Sequence, residues 1–326
     1  MQCKNLFLFI FTFLYLIFPA QKVQYDIPDM LKSEINMDKY KLIVDLAVLE
    51  ISKHEKVLSV ENGIFKTDKH TNYGIDNLIY KSKDINEKAA LNSIIKEHFN
   101  ALFDSINFSD NLDLKNFEKI RQYLSLRLYP KSYFEEYLNN KNCIYKIDLE
   151  DVYTVLMLDL PTAFTNVQRE AFESWKKNEL EVFSIAQENI NKQNVEKVTQ
   201  TFEFGGTNVQ INFIGDETYA ASYGLDLIHN SPDFVGNLGA VVAFPNKGII
   251  NVCKITNDHP LDFVKFIQGT KSLVKKFHDD HPYPVSTDFF WYYKGKFKKI
   301  NVFENSDGKI DVTAPNELSD LLVKLK

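Results

Sequence analysis

The sequence predicts an α+β fold: a largely antiparallel, hairpin-rich sheet or pair of sheets packed with helices, in two closely associated modules. Three observations predict it. Short β-branched and aromatic runs recur on either side of Asn62-Gly63, Gly205-Gly206-Thr207-Asn208 and Lys294-Gly295, the pattern of strands joined as hairpins. Apolar residues elsewhere recur at intervals of three and four, as on a helix with one buried face. The chain has 326 residues, 44% of them hydrophobic, which exceeds one typical domain and supplies ample core.

From the amino terminus, Lys4 precedes an apolar run from Leu6 to Phe18, closed by Pro19-Ala20-Gln21. That is the layout of a signal peptide, residues 1–20, cleaved after Ala20, with an apolar core too short to span a bilayer comfortably. It predicts an exported protein, periplasmic or secreted, and nothing later in the chain predicts a stable membrane span. The mature chain is assigned a helix-rich α+β module at 21–145 and a second α+β module at 146–326.

In the first module, Tyr40, Ile43, Val44, Ala47 and Ile51 share one face of a helix between Met30 and Lys53. Val57 to Val60 and Ile64 to Lys66 flank Asn62-Gly63 as a hairpin. A long helix then runs through Leu91, Ile95, Phe99 and Phe103, and polar Ser105 to Asp113 reads as a loop. Leu114 to Leu128 resumes helical spacing until Pro130, which disfavours helix at the residue before it.

The chain is organised around Asp151 to Gln193. Val152 to Leu160 is apolar almost throughout, which suits a central strand buried on both faces, and Pro161 closes it. Thr165 and Gln168 stand at capping-box spacing and predict a helix with Val167, Ala171, Phe172 and Trp175 inward. Asn178 and Glu181 repeat that spacing before a second helix through Leu180, Phe183, Ala186 and Ile190. Hairpins follow at Val198–Phe204 with Val209–Ile214, at Val241–Phe244 with Ile249–Ile255, and at Phe289–Tyr293 with Phe297–Phe303. A helix from Pro260 to Phe277 and a last one from Leu318 to Leu325 complete the module.

The order Arg127-Leu128-Tyr129-Pro130, Leu158-Asp159-Leu160-Pro161, Glu173-Ser174-Trp175, Glu188-Asn189-Ile190 and Tyr219-Ala220-Ala221-Ser222 resembles the YtpQ-like family, bacterial proteins of unknown function. The resemblance covers most of the mature chain and implies a mixed α/β architecture with no agreed activity. It departs at the turn after Trp175, where Lys176-Lys177-Asn178 stands in place of a glycine-containing turn, and at the amino-terminal secretion segment.

Formal net charge is -6, from 38 bases and 44 acids; removing residues 1–20 takes away one lysine and leaves 37 against 44. So acidic a chain is not built to wrap nucleic acid. Only Arg121, Arg127 and Arg169 are arginines, so bidentate forks for phosphate or carboxylate are scarce. Arg127, between Leu126 and Leu128, therefore stands out, either as a half-buried structural ion pair or as a functional group. Cys143 and Cys253 are the only mature cysteines and are either two buried thiols or, after export, a disulfide.

No motif names a cofactor. His278-Asp279-Asp280-His281 carries metal-ligand types, but four adjacent residues at a helix end cannot all converge on one ion, and His278 is already favoured there by the helix dipole. Gly205-Gly206 lacks the spacing and following helix of a phosphate loop. The carboxylate pairs Glu135-Glu136 and Asp216-Glu217 are sequence neighbours in solvated turns.

In Phe289 to Tyr293, alternate side chains face opposite ways: Phe290 and Tyr292 to a core, Phe289, Trp291 and Tyr293 to a second layer or to a partner. The function expected is a non-catalytic binding or interaction protein, with Phe289, Trp291 and Tyr293 the candidate contacts for an unidentified protein or small-molecule partner. The alternative is a metal-dependent or other hydrolase using polar loops near His229 and His278.

Overall fold

The computed structural model describes residues 22–69, 72–138, 142–161, 163–306 and 308–325. The segment expected as a signal peptide, residues 1–20, lies outside the described residues. The chain divides into two compact units, 1–100 and 101–326. A division at 145/146 would instead have separated two paired strands, Leu124–Pro130 and Val152–Leu160, whose register runs from Leu124↔Leu158 to Pro130↔Val152.

In the first unit, strands β1 (Lys22–Val23), β2 (Val57–Glu61), β3 (Ile64–Thr67) and β4 (Asn72–Gly74) form one sheet in that order, antiparallel except for β1 with β2. Asn62 and Gly63 both take positive φ, 48° and 73°, as a tight hairpin requires. Helix α1 (Met37–Ile51) is capped by Asn36, whose Oδ1 accepts from the Lys39 amide, and it buries the face expected of it. Helix α2 (Asp76–Ser82) follows. Helix α3 (Lys88–Asp110) runs through the division between the units and takes in the Ser105 to Asp110 segment expected as loop, because Phe99 and Phe103 carry its buried stripe on to Ser105.

After the end of α3, the second unit continues with helix α4 (Phe117–Ile120) and strand β5 (Leu124–Pro130). The expected helix to Leu128 is only this one turn plus a 3-10 turn. Leu124, Leu126 and Leu128 alternate inward at a period of two, and pairing with the next long strand outweighs their helical spacing. After α5 (Lys131–Tyr137) come β6 (Tyr145–Leu149), β7 (Val152–Leu160) and β8 (Ala163–Asn166). Strand β7 is central: β5 lines one edge, and β6 and then β8 line the other. Thr165 thus pairs with Leu158 in a strand and opens no helix; α6 (Arg169–Ser174) begins four residues later with no side-chain cap. Lys176 takes φ 52°, a left-handed conformation, before α7 (Glu179–Asn191), whose cap is Asn178.

A seven-stranded antiparallel sheet follows from β9 (Glu196–Phe204), β10 (Thr207–Gly215), β11 (Ala240–Asn246), β12 (Ile249–Lys254), β13 (Phe289–Tyr293), β14 (Lys296–Glu304) and β15 (Ile310–Thr313). Its spatial order is β15-β14-β13-β11-β12-β10-β9, so β9 and β15 are its edges. Short helices α8 (Ala220–Tyr223) and α9 (Leu227–Asn230) follow β10, α10 (Asp262–Asp279) follows β12, and α11 (Asn316–Val323) ends the chain.

Three cores stack through this unit. Between the two sheets, Leu126, Leu156 and Leu158 meet Val242, Phe290 and Tyr292, with Phe183 and Ile190 of α7 packed into the same cluster. On the far face of the seven-stranded sheet, Val241, Phe289 and Trp291 meet Phe263, Phe266 and Ile267 of α10. On the outer face of the four-stranded sheet, Phe134, Cys143, Val155 and Met157 make a smaller cluster. Cys143 and Cys253 sit in different cores as free buried thiols. Among the described residues no helix is long and apolar enough to cross a membrane.

Candidate functional site

The aromatic strand is interior. Phe289 and Trp291 are 1% and 2% exposed, under α10 and its neighbours, and only Tyr293 is half-buried. The Trp291 indole N–H donates to the Leu238 carbonyl at 2.9 Å, and its ring stacks on Tyr293 at 5.0 Å and 10°. Alternation therefore serves two cores, one on each side of the sheet. As partner contacts, Phe289 and Trp291 are corrected: α10 lays its apolar face over them, so the second layer is the protein's own helix.

Arg127 has a different setting. Its neighbours on β5 turn leucines to the inter-sheet core, which leaves Ser125, Arg127 and Tyr129 on the outer face. On β7 the same face carries Val155, Met157 and Asp159, and on β8 Phe164 stands opposite Asp159. The Arg127 guanidinium carbon lies 4.3 Å from the centre of the Phe164 ring and 5.7 Å from that of Tyr283, a residue contributed by the loop after α10. Lys247, in the β11–β12 turn, places its ammonium 4.4 Å from the same Tyr283 ring.

The loops that deliver these groups are tied down. Asn246 Oδ1 accepts from the Gly248 and Ile249 amides, while its Nδ2 donates to the Phe277 carbonyl. The Lys247 amide donates to the Tyr283 carbonyl, and the Tyr283 amide to His281 Nδ1. Asp216 Oδ1 accepts from the Thr218 and Tyr219 amides, which sets the turn that brings the Tyr219 hydroxyl to Asp159 Oδ2 at 2.5 Å.

The electrostatics follow from half-burial. Burial pushes the Asp159 carboxyl up, against the Tyr219 hydrogen bond and the Arg127 charge that pull it down. Burial and Asp159 together push the Tyr219 phenol up, so it stays a protonated donor. Burial, then Lys247, push the His281 imidazole down, which favours its neutral form as an acceptor. Cationic Arg127 and Lys247 suit holding an anionic group, while the Tyr219 phenol gives its one proton to Asp159 and His281 Nδ1 accepts from the Tyr283 amide. They supply no activated nucleophile: burial raises both Cys143 and Cys253.

The other expected histidines pair locally. His229 Nδ1 is 2.6 Å from Asp226 Oδ1, and His278 Nδ1 is 2.9 Å from Asp279 Oδ1, each pairing close along the sequence. Among the described residues no three His, Cys, Asp or Glu side chains are grouped to hold a metal ion. Sequence reading reached Arg127 but missed Phe164, Tyr219, Lys247 and Tyr283. The signal available was Asp159, a lone acid inside an apolar strand, which calls for a buried hydrogen-bond partner.

Compared with protein-family models, with curated proteins and with solved structures, the chain finds no match.

Proposed function

We propose that this is an exported, non-catalytic binding protein, related to the YtpQ-like proteins, and that it recognises a carboxylate or phosphate group of a small-molecule or protein partner at Arg127. One observation carries the reading: two cations from distant parts of the chain, Arg127 and Lys247, are gathered against one aromatic ring, Tyr283. An anion placed beside that ring is attracted by both charges. A guanidinium whose face rests on Phe164 has already lost part of its freedom, so its planar fork grips an anion at a smaller entropic cost than a free arginine.

The test is thermal unfolding of the purified protein in phosphate or acetate against chloride at matched ionic strength. A site with a dissociation constant of about 5 mM gains about 1.4 kcal/mol at 50 mM anion. Arg127→Met should remove that gain, Lys247→Met should reduce it, and Arg127→Lys should restore little of it because the fork is lost. Equal stability in all three salts, or a gain that survives in Arg127→Met, would sink the proposal.

A further inference from the structure

Strand β9 is nine residues long and forms one edge of the seven-stranded sheet; among the described residues no strand pairs with its outer side. The opposite edge, β15, is only four residues. Long regular edges are usually blunted by a bulge or a proline. Here the register with β10 runs unbroken from Phe204↔Thr207 to Glu196↔Gly215, and the strand contains no proline.

Gly205 and Gly206 both take positive φ, 57° and 79°, a two-residue turn that makes Phe204 and Thr207 the closing hydrogen-bonded pair. Pairing then alternates along the hairpin, so Lys197, Thr199, Thr201 and Glu203 turn their main-chain N–H and C=O groups outward. These four are the residues that a new strand would meet.

The order of residues on that edge is self-complementary. Reading Glu196 to Phe204 against itself antiparallel about Gln200 sets Lys197 opposite Glu203, Val198 opposite Phe202, and Thr199 opposite Thr201. Charge meets opposite charge twice, apolar meets apolar twice, and the outward-facing residues pair only with one another. These three pairings are favourable across strands, and only the end pair, Glu196 opposite Phe204, adds nothing. Val198 and Phe202 also line, with Phe213, Ile249, Leu273 and Phe277, an apolar groove of about 390 Å³ that flanks the same edge, so the pairing would cover apolar surface as well.

The geometry points to a second copy of this chain as the partner: two β9 strands join antiparallel about a two-fold axis at Gln200, making one continuous sheet across the dimer. The contact is isologous, so each favourable pair occurs twice. It forms about eight new main-chain hydrogen bonds from the four outward residues of each strand. Lys197 already donates to the Asn230 carbonyl at 2.6 Å and lies over Tyr223, and its ammonium retains two further protons for the partner's carboxylate.

Sedimentation equilibrium of the full chain tests this. The expected mass is twice that of one chain. Lys197→Glu and Glu203→Lys each set like charges face to face at two places and should weaken association about tenfold or more. Mixed in equal amounts, the two variants present opposite charges to one another and should recover the dimer as a heterodimer. That recovery separates interface repulsion from the intrachain cost of losing Lys197. In a Cys3→Ser background, Gln200→Cys should cross-link to itself under mild oxidation, since a residue on the axis faces its own copy within disulfide reach, whereas Thr199→Cys should not. A monomer at every concentration, a dimer indifferent to both reversals, a mixture that stays monomeric, or no cross-link at Gln200→Cys would each overturn the proposal.

Discussion

Trp291→Phe separates a strand buried between layers from one that offers aromatic rings to a partner. Trp291 is 2% exposed, and its indole N–H is the donor to the Leu238 carbonyl at 2.9 Å. Phenylalanine keeps most of the apolar contact with Tyr293 and the α10 side chains but cannot donate. The buried carbonyl left behind costs about 1–3 kcal/mol, and the smaller ring leaves a partial cavity that adds roughly 1 kcal/mol. The expected loss is about 2–4 kcal/mol, and Trp291→Ala should cost about 3–5 kcal/mol. Urea unfolding followed by far-UV circular dichroism measures it, since the substitution removes one of only two tryptophans and would confound fluorescence. The midpoint should fall with the slope unchanged. A surface aromatic would move stability by less than about 0.5 kcal/mol. A change that small at Trp291 would refute the placement of this strand beneath α10.

Two pH-linked outcomes follow from burial. His98 is held neutral, its pKa pushed down to about 4 first by burial and then by Lys81. The unfolded chain therefore binds the extra proton first as pH falls, so stability drops between about pH 6.5 and pH 4, by up to roughly 3 kcal/mol. His98→Gln should flatten that slope in urea midpoints taken across the range, and an unchanged slope would count against a buried neutral imidazole. Asp159 has the opposite sign, because burial raises its pKa and the folded state holds its proton more tightly than the unfolded one. Its penalty is absent below the unfolded carboxylate range and complete above the folded pKa, so Asp159→Asn, which still accepts from Tyr219, should match or exceed the parent at pH 7 and show no advantage in acid. A marked loss at pH 7 would show that the charge itself is needed there.

The strands most legible in the sequence are those whose local pattern and tertiary setting agree. Seven of the nine residues of β7 are buried, on both faces, because the inter-sheet core covers one face and the cluster of Phe134 and Cys143 covers the other. The hairpins at Asn62-Gly63 and Lys294-Gly295 form as read, and that at Gly205-Gly206 forms with a tighter turn because Thr207 and Asn208 join the ladder, each with positive φ at both central residues. What was not legible was the choice between two periods. Leu124 to Leu128 satisfies helical spacing with Leu114, Phe117 and Ile120, and also strand alternation by itself. The decision belongs to β7, whose free edge stands alongside. Thr165 likewise offers a cap, but the outer edge of β7 offers backbone partners to Ala163 through Asn166, and a ladder satisfies more groups than one side chain does. The division between units was out of reach because α3 crosses it without a break in its apolar stripe.

The candidate site was legible only at one residue, and the reason is general to sites built from loops. Arg127 stands out because arginine is rare here and because it interrupts a run of inward leucines, two properties a single sequence contains. Phe164, Tyr219, Lys247 and Tyr283 have no such local mark. Each is ordinary for its own segment, and what joins them is the set of turns, held by Asp216 and Asn246, that folds three loops toward one face of a sheet. The aromatic strand is the converse case. Phe289 to Tyr293 is conspicuous in sequence because it serves two cores at once, and alternate rings on opposite sides of a central strand demand a run of five. In this chain aromatic density therefore marks depth within the fold, while the candidate site lies where a scarce charge stands at the margin of a sheet.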